Sequence, residues 1–85
     1  MPPSFKLEEN VFAQPQGNVS GFLIAMVTYS NGKEKRLAHS YLLVDETSRI
    51  SLDVPKHVDV ADLPVIQEAL AAFTLRLSEL ANSRR

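Results

Sequence analysis

The chain has 85 residues and no cysteine, with a formal net charge of −1 and 45% hydrophobic residues. This length predicts a single domain spanning residues 1–85, of marginal stability because a small chain buries a limited share of its surface. The lack of cysteine excludes disulfides, thiolate metal sites and cysteine nucleophiles. The interspersed charges lack the basic footprint of a duplex-DNA binder, and no apolar run reaches the roughly 20 residues of a membrane span. We expect a cytoplasmic protein without a membrane segment.

The first predicted strand covers residues 4–13, where apolar and polar residues alternate. Its apolar side carries Phe5, Leu7, Val11 and Ala13, with Glu9 as the exception. A period of two is typical of a strand with one solvated face. The turn-rich segment 14–20 ends this strand.

The next two strands are predicted to form a hairpin. Residues 21–30 are apolar, partly β-branched and aromatic, which favours a central strand. The dipeptide Asn31-Gly32 then predicts a two-residue type I′ turn, in which both residues take positive φ, and residues 33–45 return. This turn fixes the predicted pairs as Met26–Leu37, Ile24–His39 and Phe22–Tyr41.

A second tight turn, around residues 45–48, leads to a fourth predicted strand at 49–54, which Pro55 ends. A two-residue turn at Glu46-Thr47 predicts the pairs Leu43–Ile50, Tyr41–Leu52 and His39–Val54. Both turns place their paired apolar residues on the same face of the sheet.

A single amphipathic helix follows. Asp62 is predicted to be its N-cap, with Pro64 in the first turn. Apolar residues then recur at gaps of three and four, namely Leu63, Ile66, Leu70, Phe73, Leu77 and Leu80. This spacing predicts a helix that ends near Ala81. The predicted fold class is α+β: a four-stranded antiparallel meander sheet (ββββα) with one C-terminal amphipathic helix packed on one face.

We assign the helix to the face that holds Phe22, Ile24 and Met26, because that face is large, contiguous and apolar. The opposite face is more apolar than a solvated face should be. Since one helix cannot cover both faces, we predict that a second copy of the chain covers this second face through a two-fold interface. The predicted interface residues are Leu23, Ala25, Val27, Tyr29, Arg36, Ala38, Leu42, Val44, Arg49 and Leu75, the last on the outer side of the helix. A monomer with a few surface apolar residues is the alternative.

The sequence predicts no catalytic, cofactor-binding or metal-binding residues. His39 is expected to be a neutral, hydrogen-bonded histidine at the sheet margin. His57 lies in a loop near Asp59 and Asp62, but the spacing matches no recognised metal site. No serine has a partnered base, and no glycine-rich phosphate loop is present. We therefore expect no enzymatic activity and no cofactor.

These observations predict a non-enzymatic, homodimeric protein-interaction or regulatory domain, with another protein as a possible partner. The order of four strands and one helix resembles that of single-strand-binding modules of the Whirly type and of SecB-type chaperone subunits. The first resemblance implies the alternative, a single-stranded nucleic-acid-binding module of ββββα type, which needs a basic groove and stacking aromatic rings. Its candidate residues are Tyr29, Lys33, Lys35, Arg36 and Arg49. The mixture of acids and bases around them favours the protein-interaction hypothesis.

Overall fold

The computed structural model confirms the predicted α+β class and describes residues 2–44 and 49–83. Four antiparallel strands form one sheet in the order β1-β2-β3-β4, and a 3₁₀ turn and one helix follow. The bounds are β1 Ser4–Gln16, β2 Val19–Thr28, β3 Glu34–Leu43, β4 Ile50–Leu52, the 3₁₀ turn Val60–Asp62 and α1 Leu63–Ser83. The turn predicted at residues 45–48 lies outside the described residues.

A β-bulge in β1 decides which side of this strand faces the helix. Gln16 pairs with Val19 near the turn, whereas Val11 pairs with Gly21 further along. The register therefore slips by an odd number of residues, which exchanges the two sides of the strand. Gly21 permits the close approach of the two strands, because a Cβ at this position would collide with the carbonyl oxygen of Asn10.

The alternation predicted along β1 is confirmed only in its first half, since Val11 is 54% exposed, Ala13 is also exposed and Phe12 is half-buried instead. Phe5 and Leu7 pack against the core beneath the helix. Glu9, the exception on this side, accepts two hydrogen bonds from the guanidinium of Arg76 in α1, at 2.7 and 2.8 Å. These bonds lower the pKa of Glu9. The single charge on the apolar side of β1 therefore attaches the strand to the helix.

The hairpin between β2 and β3 does not form the predicted type I′ turn, since Asn31 does not take positive φ. The Gly32 N–H donates to the Tyr29 carbonyl oxygen at 2.9 Å, and the Tyr29 N–H donates to that of Lys33 at 2.9 Å. With Gly32 at a φ of 87°, this is a three-residue loop in which glycine forms the bulge. The Asn31 side chain instead accepts the Lys33 N–H at 2.9 Å.

A second bulge, at Leu37, compensates for the longer loop. Leu37 has no ladder partner on β2 and is buried on the helix side. Of the predicted pairs, the structure confirms Ile24–His39 and Phe22–Tyr41 and replaces Met26–Leu37 by Met26–Arg36.

The predicted register of β4 is wrong. The structure pairs Ala38 with Leu52, His39 with Ser51 and Ser40 with Ile50. It therefore replaces the predicted pairs Leu43–Ile50, Tyr41–Leu52 and His39–Val54. The connection is longer than a two-residue turn, and the odd difference moves Ile50 and Leu52 to the helix side. Because α1 contacts β1, β2 and β3 but not β4, these two side chains stay 46% and 54% exposed.

The helix begins at Leu63, directly after Asp62 as predicted, and runs two residues past Ala81. Its buried residues are Val65, Ala69, Phe73, Leu77 and Leu80. The C-terminal half of the predicted stripe is thus confirmed, whereas at the N-terminal end Leu63 is exposed and Val65 is buried instead. Successive steps of four residues turn by slightly more than one helical turn, so the buried stripe winds slowly around the axis.

Asp62 joins the start of the helix to the β2–β3 hairpin. Its buried carboxylate accepts the backbone N–H of Ser30 at 2.9 Å and the Ser30 hydroxyl at 3.1 Å. The hydrogen bonds predicted for an N-cap are therefore replaced by a contact between two distant parts of the chain.

The predicted assignment of the two sheet faces is wrong. The helix covers the face that holds Leu23, Ala25 and Val27, which are fully buried. This face carries the small residues at the centre of the sheet, namely Gly21, Ala25, Ala38 and Ser40. Small side chains let a helix approach the strands closely, and Phe73 and Leu77 pack in one buried cluster with Ala25 and Ala38. The larger side chains therefore remain on the opposite face.

Candidate interaction surface

The face of the sheet opposite α1, here called the helix-free face, stays uncovered in a single chain. Its two halves differ in character. The half near the β2–β3 hairpin is charged and carries Lys6, Glu8, Glu34 and Arg36. The other half, here called the apolar patch, consists of Phe12, Phe22, Ile24, Met26, His39 and Tyr41.

The charged half is balanced by ion pairs. The Lys6 amine lies 3.6 Å from the carboxylate of Glu8 and 3.7 Å from that of Glu34. The Arg36 guanidinium donates to the carboxylate of Asp53 at 2.7 Å. Both cations are thus paired with acids, and this half presents no basic groove.

Two edge-to-face ring contacts organise the apolar patch. The rings of Phe12 and Phe22 lie 6.3 Å apart at 70°, and those of His39 and Tyr41 lie 5.8 Å apart at 79°. Such pairs hold large side chains in defined orientations. Tyr41 remains 57% exposed despite its ring contact. The patch is therefore a set of ordered aromatic side chains that faces outward.

A hollow of about 290 Å³ opens in this patch, lined by Phe22, Ile24, Arg36, His39, Ser40 and Tyr41. The Nδ1 atom of His39 is buried beside it and has no hydrogen-bond partner among the described residues. The hydrogen bond expected for His39 is therefore not found at this atom.

The structure divides the predicted interface residues into two groups. Those that are buried beneath the helix, and so belong to the core, are Leu23, Ala25, Val27, Tyr29, Ala38 and Leu42. Those that are exposed are Arg36 on the helix-free face, Val44 after β3, Arg49 before β4 and Leu75 on the outer side of α1. The predicted surface is therefore corrected, since its central residues are the ones that hold the helix.

A second hollow, of about 240 Å³, lies at the hairpin tip. Its lining includes His57, Asp59 and Asp62, together with Lys33 and Lys35. The loop histidine and the two aspartates thus line one hollow, although no group of three or more metal-ligating side chains occurs within residues 2–44 and 49–83.

Tyr29, in the wall of the second hollow, is a core residue. Its hydroxyl is buried and has no hydrogen-bond partner in the described part of the chain. Burial, followed by the negative charge of Asp62, raises the pKa of this phenol, so it stays protonated at neutral pH. A buried ring cannot stack on a nucleotide base, which removes the aromatic residue that the nucleic-acid hypothesis relied on.

Five residues of the apolar patch were predicted to lie on the core face, namely Phe22, Ile24, Met26, His39 and Tyr41. One signal could have placed them correctly: Ala25 and Ala38 pair at the centre of the other face, next to Gly21. Small residues at the centre of a sheet indicate the side on which another element packs closely. The alternation in β1 could not decide between the faces without knowledge of the bulge.

Comparisons with known proteins found no match, whether among family models, curated proteins or solved structures. Among the residues that the structure describes, no helix has both the length and the apolar character needed to cross a membrane.

Proposed function

We propose that the protein is a non-enzymatic, homodimeric interaction domain in which two copies pack their apolar patches against each other. One observation carries this proposal: the patch remains open although α1, the single described helix, already covers the other face. Contiguous exposed apolar surface on a small domain commonly marks a contact site. A chain of this size also gains stability from assembly, because its own core is small.

The composition of the helix-free face fits an interface. Phe22, Met26 and Tyr41 are residue types enriched in contact surfaces. Phe22 and Tyr41 pair with each other, whereas Met26 stands between Lys6 and Arg36 at the border with the charged half. The charges lie at one end, where Lys6 is balanced by Glu8 and Glu34. Because this end carries both signs, two identical faces can meet without strong repulsion.

The geometry suits sheet-on-sheet packing. Two twisted sheets pack at about 10 Å, with their side chains interdigitating. In a two-fold arrangement each patch contacts the same patch of the partner. The exposed ring of Tyr41 projects from the patch, and the hollow of the same chain lies beside it, so one surface carries both a projection and a cavity. Such a surface can complement itself.

A pair of charge substitutions tests the proposal. Tyr41→Asp places a charge in the patch, whereas Leu75→Asp places the same charge on the outer side of α1, where Leu75 is similarly exposed. We expect sedimentation equilibrium to show self-association of the wild type, a loss of at least about tenfold in the association constant for Tyr41→Asp, and no change for Leu75→Asp. Far-ultraviolet circular dichroism should show an unchanged helix content in both variants.

Two results would overturn the proposal. One is a wild-type chain that stays monomeric at high micromolar concentration. The other is an association constant for Tyr41→Asp equal to that of the wild type.

The helix-free face also supports a second candidate, binding of single-stranded nucleic acid, because Phe12, Phe22 and Tyr41 present rings on an open sheet. Bases stack on such rings in single-strand-binding proteins. The neighbouring cations, however, are paired with Glu8, Glu34 and Asp53. Titration of a fluorescent oligonucleotide at low salt separates the two functions: the favoured proposal expects no binding, and salt-sensitive binding that Tyr41→Asp abolishes would establish the second.

A further inference from the structure

The two edges of the sheet differ in how well they are protected from strand pairing. The outer edge of β1 carries Lys6, Glu8 and Pro15 and is interrupted by a bulge. Charges, proline and bulges are the usual devices that keep an edge from pairing. The edge at β4 is short, at three residues, but it has no charge, proline or bulge within Ile50–Leu52, and its two apolar side chains are about half exposed. β4 is therefore open to a further strand.

The hydrogen bonds of β4 show which of its backbone groups are free to pair. The Asp53 N–H donates to the Leu37 carbonyl oxygen at 2.9 Å. Backbone groups alternate in direction along an antiparallel strand, so those of Ser51 also point toward β3. The N–H and C=O groups of Ile50 and Leu52 consequently point outward, away from the sheet.

We propose that β4 pairs antiparallel with β4 of a second copy, about a two-fold axis through Ser51. In this register Ile50 stands opposite the partner's Leu52, and Leu52 stands opposite the partner's Ile50. Both pairs join residues whose backbone groups point outward, so each is a hydrogen-bonded pair, one on either side of the axis. The apolar side chains of both copies then meet on the helix side, beside the part of the sheet that α1 leaves uncovered. The sequence around Ser51 is thus complementary to itself.

Charges agree with the same register. Arg49 and Asp53 flank the strand at equal distances from Ser51, so Arg49 of one chain stands opposite the partner's Asp53. Opposite residues of an antiparallel pair project on the same face, within reach of an ion pair. Asp53 is already bound by Arg36 at 2.7 Å, so the pairing extends an existing interaction across the axis.

This inference does not rest on the proposed function, because edge pairing and face packing use different surfaces. Edge pairing joins two sheets into one of eight strands, with both apolar patches on the same side. Two such sheets can then pack face to face. If both contacts form, the wild-type assembly is a tetramer with two kinds of two-fold interface.

The first test removes one outward N–H group. Leu52→Pro leaves the bonds to β3 intact, because proline is tolerated on an edge strand where its N–H would face solvent. We expect this variant to lose edge pairing, so that sedimentation equilibrium gives half the wild-type mass. Val54→Pro, at an even more exposed apolar residue just outside β4, is the matched control and should keep the wild-type mass.

The second test uses charge reversal in two separate chains. Arg49→Asp alone puts two aspartates opposite each other across the axis, and Asp53→Arg alone puts two arginines opposite each other. Each variant should lose edge pairing by itself. An equimolar mixture restores both ion pairs in the mixed assembly, so its mass should return to that of the wild type. Restoration by mixing would not follow if either residue merely stabilised its own chain.

The outcomes separate the two surfaces. A wild-type dimer that Leu52→Pro converts to a monomer, while Tyr41→Asp leaves it intact, would confirm the edge and refute the face. A wild-type assembly that none of the β4 substitutions changes would refute the edge and leave the face to its own test. A mixture of the reversed chains that gains no mass would also overturn the pairing of Arg49 with the partner's Asp53.

Discussion

The two faces of one sheet differ in side-chain size more than in hydrophobicity, and the helix packs on the face with the smaller residues. On the covered face, Ala25 and Ala38 pair at the centre and Leu23 fills the space beside Phe73. On the helix-free face the neighbours are Phe22, Ile24 and larger side chains. Close packing requires that a helix approach the strands, so the choice of face follows from fit. The sequence-based prediction chose the other face because its register put Leu37, Ile50 and Leu52 there.

The largest expected effect compares adjacent residues of β2 that point to opposite faces. Leu23→Ala should destabilise the protein by about 3 kcal/mol, because it leaves a cavity beneath the helix. Ile24→Ala should cost only about 1 kcal/mol in dilute solution, since Ile24 is partly exposed on the helix-free face. Urea denaturation of both variants measures the difference in the free energy of unfolding.

The ranking of these two variants is the decisive result. An equal loss, or a larger loss for Ile24→Ala at low protein concentration, would contradict the assignment of the faces. At high concentration the Ile24→Ala variant should also lose stability through weakened self-association, which links this comparison to the proposed dimer.

Much of the fold could be predicted from the sequence, because local patterns specify it. The alternation in the first half of β1, the apolar run of β2 and the position of α1 all follow from short-range periodicity. The face assignment could not be predicted in the same way, because it depends on register. The bulge between Val11 and Gln16 and the longer β3–β4 connection each shift the pairing by an odd number of residues, and each shift exchanges the two faces.

Because the two faces were exchanged, the interface was predicted on the wrong residues. Residues such as Val27 and Leu42 were predicted to form the interface on the basis of a correct principle, that one helix covers one face, applied to the wrong face. The sheet still has an uncovered face, but its residues include Phe22 and Tyr41 and not the predicted Val27 and Leu42. The edge at β4 could not be recognised either, since the predicted register put Ile50 and Leu52 inside the core.

A smaller effect is expected where the helix is attached to the hairpin on the covered side. Asp62→Ala removes the acceptor for two hydrogen bonds from Ser30 and should cost about 2 kcal/mol, because the Ser30 backbone N–H loses a partner in a partly buried position. Asp59→Ala, in the same turn but with an exposed side chain, should change the unfolding free energy little. Thermal denaturation of the pair provides the measurement. Equal effects would show that the bonds to Ser30 contribute nothing specific.

The smallest expected effect depends on pH and again compares the two faces. Arg76 lowers the pKa of Glu9 below its ordinary value of 4.5, first through the hydrogen bond and then through its charge. A lowered pKa in the folded state gives stability that is present above the unfolded pKa and is lost as the pH falls through the lowered pKa.

The wild type should therefore be slightly more stable than Glu9→Gln at neutral pH, and the unfolding free energies of the two proteins should converge as the pH falls below about 4.5. Glu8→Gln removes the same charge from β1 on the helix-free face, where Lys6 lies 3.6 Å away without a short hydrogen bond, and should lower the unfolding free energy less at neutral pH. If the two glutamine variants lost stability equally over this pH range, the bond from Arg76 would have no role in holding the helix on its face of the sheet.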